Sequence, residues 1–280
     1  MTATLVASDL DRTLIYSPAG LLLAGADEDA PTLVSVEVLD GRPHSFMTER
    51  AVQLLAELSM VATFVPTTTR ALSQYRRVRF PGVAPEWAIT SNGGNVLHHG
   101  VPDGDWLRTV RSAIASSAAD LATVRKELRH RADGDWVIKR RVSDDLFCYL
   151  VVELAEMPAD FLPAWRDWCA DHGWRVSIQG RKIYSIPKTL SKERAMAEVT
   201  ARIGATRVLA AGDGALDTGF LAAADAAIRP PHGELHQLGW TTDGLTIAST
   251  PGVLAGEEML EWFLAQVLTD SVTEQQLPAV

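Results

Sequence analysis

The sequence predicts an α/β protein: an open parallel sheet interrupted by an inserted α+β domain. Three observations carry this. Short apolar runs that end in polar clusters alternate with amphipathic segments toward both ends of the chain. Between about 101 and 186 that rhythm gives way to an αββαββ run. The charge divides in the same way. Residues 101–186 hold 13 basic and 13 acidic residues, so the remainder carries the whole formal net charge of −9. The expected division is therefore 1–100, 101–186 and 187–280.

"TLVASDL" at 4–10 reads as a buried strand, and "LVSVEVL" at 33–39 as the first arm of a hairpin turning at "DGRP". The segment 24–45 is long for a connection and suggests a flap over the end of the first strand. "TERAVQLLAELS" has helical spacing, with Thr48 as its N-cap. "VATFVPTTTR" and "PEWAITSNGG" are two further strands, and "SNGG" itself reads as a turn. The segment 105–132 contains helix, followed by strands in "DWVIKRRVSD" and "LFCYLVVELA". A helix ending at Gly173 comes next, and then a hairpin, "WRVSIQG" with "RKIYSIPK". "LSKERAMAEVTARIG" is a helix between an N-cap Ser191 and a stop at Gly204. "RVLAAGDGALD" is a strand ending in acids, "TGFLAAADAAIR" opens with a helix, and "EEMLEWFLAQVL" is the last helix. Trp106, Trp136, Trp165, Trp168 and Trp174 of the inserted region read mostly as core, and "IKRR" at 138–141 as a solvated strand face.

The 280 residues, 47% hydrophobic and 22% charged, are enough to fill a core. The acidic balance argues against nucleic acid or an anionic membrane as partner. Cys148 and Cys169 form no CxxC pair, which excludes a disulfide scaffold or zinc ribbon and suits a reducing cytoplasm. No apolar run approaches the ~20 residues of a membrane span. "MTATLVASDL" lacks the basic start and cleavage site of a signal peptide, so a cytoplasmic location is expected. The tail "TEQQLPAV" is expected to be loose. Composition leaves the oligomeric state open.

Why a buried strand should end in two carboxylates, Asp9 and Asp11, is the question the sequence poses. Such charges repel and are costly to desolvate, so a cation or water must compensate. In open α/β sheets ligands bind outside the carboxyl ends of the strands. Three polar clusters fall there: "SDLDRT", "TTTR" and "AAGDGALD". With Lys192 they supply Asp9, Asp11, Asp213 and Asp217, the hydroxyls of Thr13 and Thr68, and one ammonium. Clustered hard oxygens suit Mg²⁺, and hydroxyls, lysine and backbone N–H groups suit a phosphate.

This order of motifs resembles the haloacid dehalogenase (HAD) superfamily of phosphatases. Asp9-Leu10-Asp11-Arg12-Thr13 matches its DxDxT. Thr68 in "TTTR" is similar to the hydroxyl of "ATGR", with Thr67 and Thr69 as alternatives. Lys192 matches the motif lysine, and Gly212–Asp217 matches GDxxxD. The resemblance implies a Rossmann-like parallel-sheet core with an inserted α+β cap of the C2B, or type IIB, class, as in Cof-like and sugar-phosphate phosphatases. It further implies Asp9 as nucleophile and Asp11 as general acid and base. Mg²⁺ would be held by Asp9, the Asp11 carbonyl and Asp213. Lys192, Thr68 and Thr13 would serve the phosphoryl group, with Asp217 as orienter. Arg12, Thr69 and Leu216 depart from the common Gly, Gly and Asn. Asn92, at the junction with the cap, and Arg181 and Lys182, in a cap turn of a kind that in the family can face the active site, are the substrate candidates. The expected substrate is a small phosphorylated metabolite, a phosphosugar first. The rivals are a phosphotransferase of the phosphomannomutase type and a non-catalytic binding protein on the same fold. His98 and His99 show no metal-ligand spacing with other residues and read as surface.

Overall fold

The computed structural model describes residues 3–275; of Asp27 and residues 270–275 only the backbone is described. In chain order the elements are β1 (Thr4–Ser8), β2 (Leu33–Leu39), β3 (Arg42–Thr48), α1 (Glu49–Val61), β4 (Thr63–Pro66), α2 (Leu72–Tyr75), β5 (Trp87–Thr90), β6 (Asn95–His98) and β7 (Val101–Pro102). Next come α3 (Gly104–Ser117), α4 (Leu121–Arg131), β8 (Val137–Ser143), β9 (Phe147–Val152), α5 (Phe161–Asp171), β10 (Trp174–Gln179) and β11 (Lys182–Pro187). The chain closes with α6 (Lys192–Ile203), β12 (Arg207–Ala211), α7 (Thr218–Ala222), β13 (Ala226–Arg229), α8 (Gly233–Gln237), β14 (Leu245–Ile247) and α9 (Val253–Gln275).

The central sheet is parallel, in the order β14-β13-β12-β1-β4. Beyond β4, the parallel bridge Thr67–Ile89 ties on the three-stranded β5-β6-β7 sheet. Side chains alternate faces along each strand. Leu5, Ala7 and Ala210 enter one hydrophobic cluster; Val6, Leu209 and Ala211 enter the other, beneath α1 and α9. On α1 the buried positions are Ala51, Leu54, Leu55 and Leu58, a helical stripe. Thr48 caps it, its Oγ1 accepting from Ala51 N at 3.0 Å. The chain runs from β1 to β4 on one side, and β12 pairs on the other side of β1. The strand order therefore reverses at β1, the position where such sheets bind ligands.

Residues 137–187 form an antiparallel sheet, β10-β11-β9-β8, backed by α4 and α5. Trp165 and Trp174 are fully buried, with their indole N–H groups donating to Ser185 Oγ (2.9 Å) and Ala119 O (2.8 Å). The helical stretch 105–132 is two helices. Asp120 breaks it, its side chain accepting from Thr123 N (2.8 Å) to start α4, while Ala119 N donates to His172 O (2.9 Å). The inserted run thus begins with a helix pair. At the end of the chain α9 runs through residues 273–275, the first part of the tail expected to be loose; the rest of that tail, like Met1 and Thr2, lies outside the described residues.

Candidate active site

Asp9 follows β1 directly, and its N–H donates to Ala211 O (2.8 Å), so the β1–β12 ladder sets its backbone. Its Oδ1 accepts from Lys192 Nζ at 2.6 Å, and the same ammonium donates to Asp217 Oδ1 at 2.6 Å. Lys192 is 1% exposed. It opens α6, whose buried stripe of Lys192, Ala195, Met196 and Val199 turns it inward. Ser191 caps that helix through Arg194 N, and Gly204 ends it in the left-handed conformation, both as expected from sequence. The "SNGG" segment is more than a turn. Gly93, at φ 93°, lies so close to the start of α6 that a Cβ would meet Ser191 O at 2.1 Å. Only glycine seats the lysine at this depth.

Asp217 Oδ2 accepts from the backbone N–H of Asp213 (3.1 Å) and Gly214 (2.9 Å). With Oδ1 on Lys192, both its oxygens are engaged, so it orients its neighbours. The carboxylates of Asp9, Asp213 and Asp217 converge with ligand oxygens within 4.8 Å of one another. Burial, with repulsion from Asp217 and Asp11, raises Asp9 to about 7 against the pull of Lys192. Burial and the charges of Asp9 and Asp217 push Asp213 well above the usual range. The donor set is all oxygen, with no His or Cys in the group among the described residues, which fits Mg²⁺. Asp9 and Asp213 are the carboxylates of this group that could hold the ion.

Arg12 has φ 62°. Its backbone is the left-handed kind that glycine takes without penalty, which accounts for the resemblance to a glycine position; the arginine bears a strain of about 1–2 kcal/mol. Its guanidinium lies 3.7 Å from Asp213. Its carbonyl accepts from His232 Nε2 at 2.8 Å; because Gly252 N donates to His232 Nδ1 (3.1 Å), the ring proton sits on Nε2. Thr69 replaces glycine at a position without positive φ, and Leu216 is buried in the hydrophobic core.

A cavity of about 670 Å³ opens over these strand ends, walled by Asp9, Asp11, Arg12, Thr68, Thr69 and Asp213 below and by Arg166, Gln179, Lys182 and Tyr184 of the inserted region above. Of the threonine triplet, Thr67 is tied back to Val65 O (3.0 Å). Thr68 accepts from Arg70 N (3.1 Å) and keeps its hydroxyl proton for a ligand. Thr13 is buried, with Oγ1 unpartnered, and is not on the cavity wall. Asn92 is also off the wall. It is fully buried, with Nδ2 on Leu190 O (3.1 Å), and so joins segments instead of reaching a ligand. Of the turn pair, Lys182, the first residue of β11, lines the cavity and Arg181, still in the turn, does not.

Sequence reasoning gave no role to Arg70, Glu37 and Arg77. Arg70 grips Asp11 with two parallel bonds, Nε to Oδ2 and Nη2 to Oδ1, each 2.7 Å. Burial pulls the Asp11 carboxyl upward, but the guanidinium outweighs it and holds it below the usual range. Only the terminal position of Arg70 in "TTTR" hinted at this. Elsewhere, Glu86 joins His98 (3.1 Å) and His99 in an exposed group that the spacing of the histidines did not disclose. No helix among the described residues is long and apolar enough to cross a membrane.

No family model matches the sequence, and no curated protein matches it. Solved structures do. The sucrose-phosphatase of Synechocystis sp. PCC6803, in complex with sucrose and phosphate, is 15% identical with a TM-score of 0.62, over 94% of this chain and 98% of that one. A Thermoplasma acidophilum protein is 10% identical, TM-score 0.63, over 94% and 99%. A HAD subclass IIB sugar phosphatase is 13% identical, TM-score 0.57, over 94% and 99%. The chain therefore has the fold of the HAD phosphatases, parallel core and α+β insertion together.

Proposed function

We propose that the protein is a Mg²⁺-dependent phosphoric monoester hydrolase acting on a small phosphorylated metabolite, a phosphosugar first, through an aspartyl phosphate. The observation that carries this is Asp9: a carboxylate on the cavity floor with one oxygen fixed by a buried lysine at 2.6 Å. Its other oxygen attacks phosphorus, and the P–O bond to the leaving alcohol breaks. Asp11, ionised against Arg70 in this structure, must first take up a proton from water; it gives that proton to the departing oxygen, then takes one from the water that cleaves the acyl phosphate. Thr68 and Lys192 offset charge on the phosphoryl oxygens, Lys192 from behind Asp9. Mg²⁺, when bound, neutralises the carboxylate–phosphate repulsion. Residues 101–186 form the cap, flanked by core segments 1–100 and 187–280, and Lys182 with Arg166 meets the far end of the substrate. The buried free thiols Cys148 and Cys169 accord with a cytoplasmic site.

Phosphate release from a panel of sugar, nucleotide and phosphoglycerate esters tests this. Turnover should require Mg²⁺ and vanish with EDTA, and Asp9→Asn should lower it at least about a thousandfold with the fold intact. Retained turnover in Asp9→Asn, or no effect of EDTA, overturns the mechanism. Transfer of phosphate to a second sugar without release to water would make it a phosphotransferase.

A further inference from the structure

The long hairpin β2–β3 brings a carboxylate into the interior. Glu37 is 1% exposed. Its Oε2 accepts from Arg70 Nη1 (2.8 Å) and Ser45 Oγ (2.7 Å), and its Oε1 from Arg77 Nε (3.0 Å). A buried ion of this kind is costly to desolvate, and an apolar residue would serve a purely structural hairpin better. What the charge achieves is visible one residue further on. The guanidinium of Arg70 is held at one edge by Glu37 and presents its other edge to Asp11. With the fork fixed at Nη1, the Nε and Nη2 bonds leave the Asp11 carboxylate one orientation. The backbone of Arg70 is pinned as well, its N–H donating to Thr68 Oγ1.

We infer that Glu37 is a positioning residue: through Arg70 it orients the Asp11 carboxyl for proton exchange with the leaving oxygen, which makes the hairpin part of the catalytic apparatus. This rests on the phosphatase reading above. Protonation matters most where the leaving oxygen is most basic. A displaced Asp11 therefore penalises poor leaving groups and spares good ones, whereas general damage to the fold penalises all alike.

The experiment compares wild type, Glu37→Gln and the milder Ser45→Ala on phenyl, p-nitrophenyl and 2,4-dinitrophenyl phosphate with Mg²⁺. In parallel, ¹⁵N NMR follows the Arg70 Nε–H signal, assigned by its absence in Arg70→Lys. In Glu37→Gln, kcat on phenyl phosphate should fall about tenfold or more, with little change on the dinitrophenyl ester and little change in KM. The Nε–H signal should lose its protection from exchange. Ser45→Ala should follow in the same direction with smaller effect. An active wild type whose variants lose equally on all three esters, or lose nothing while the signal is released, overturns the positioning role and leaves the phosphatase reading standing. A folded wild type inert on all three esters and on the metabolite panel, with the signal still protected, overturns the phosphatase reading and this role with it.

Discussion

Two ion clusters, each around one buried charge, stand side by side at the strand ends, and they are built inside out from one another. In one, a single ammonium, Lys192, sits between Asp9 and Asp217, with Asp213 beside them. In the other, a single carboxylate, Glu37, sits between Arg70 and Arg77, and Arg70 passes on to Asp11. The first has more negative charge than it can balance, and burial raises the affinity of Asp9 and Asp213 for protons. The second is balanced, and its guanidinium groups hold both the half-exposed Asp11 and the buried Glu37 below their ordinary values. The difference teaches that two aspartates one residue apart can stand in opposite electrostatic surroundings. Asp9 belongs to the cluster in which carboxylates outnumber cations, Asp11 to the one in which they are matched.

Breaking the first cluster should have the largest effect. Lys192→Met leaves two buried carboxylates without their cation, at a cost of about 3–5 kcal/mol; urea unfolding would measure it, and turnover should vanish. Arg77→Gln in the second cluster should cost about 1 kcal/mol or less, since Arg77 is a third exposed and Arg70 remains on Glu37. Equal losses would erase the contrast.

The pH response sharpens it. Folded Asp9 titrates near 7, above its unfolded 3.8, and Asp213 is raised too. Between about 4 and 7 the folded protein therefore binds more protons than the unfolded chain, and stability rises as pH falls. Asp11 and Glu37 are lowered from 3.8 and 4.5. Their contribution is present above those values and is lost only as pH falls below about 4. Metal-free protein should thus gain Tm from pH 7 to 5 and lose it from 4 to 3. Mg²⁺ should raise Tm at pH 7 and shrink the first change. A Tm that falls steadily from pH 7 downward would contradict the assignment.

The smallest effect concerns the cavity roof. Lys182 lines the cavity, while Arg181 does not. Lys182→Ala should raise KM about tenfold for a polyanionic ester, the worth of a charged hydrogen bond. Arg181→Ala should leave KM unchanged, and steady-state kinetics on both variants decides between them.

The first cluster was legible in the sequence because its residues lie in short, ordered motifs at strand ends and a helix start. Asp9 follows an apolar run, Lys192 follows an N-cap serine, and Asp213 and Asp217 sit four apart across one turn. The parallel sheet and the antiparallel insertion were legible for a related reason, since period-2 and period-3.6 patterns are properties of a strand or helix taken alone. The break at Asp120 was missed because the pattern on either side is helical.

What the amino-acid order determined by itself, then, was local: elements, caps, and the carboxylates each strand would deliver. Tertiary structure alone decided the rest. It sent Lys182 into the cavity and Arg181 out, and it buried Asn92 against Leu190. It took Glu37 from a hairpin, Arg70 from a strand end and Arg77 from beyond α2, and joined them to Asp11 across up to 59 positions of chain. No periodicity encodes such pairs. Their energy comes from desolvation and geometry, which exist only once the sheet has closed and water has been driven from between them.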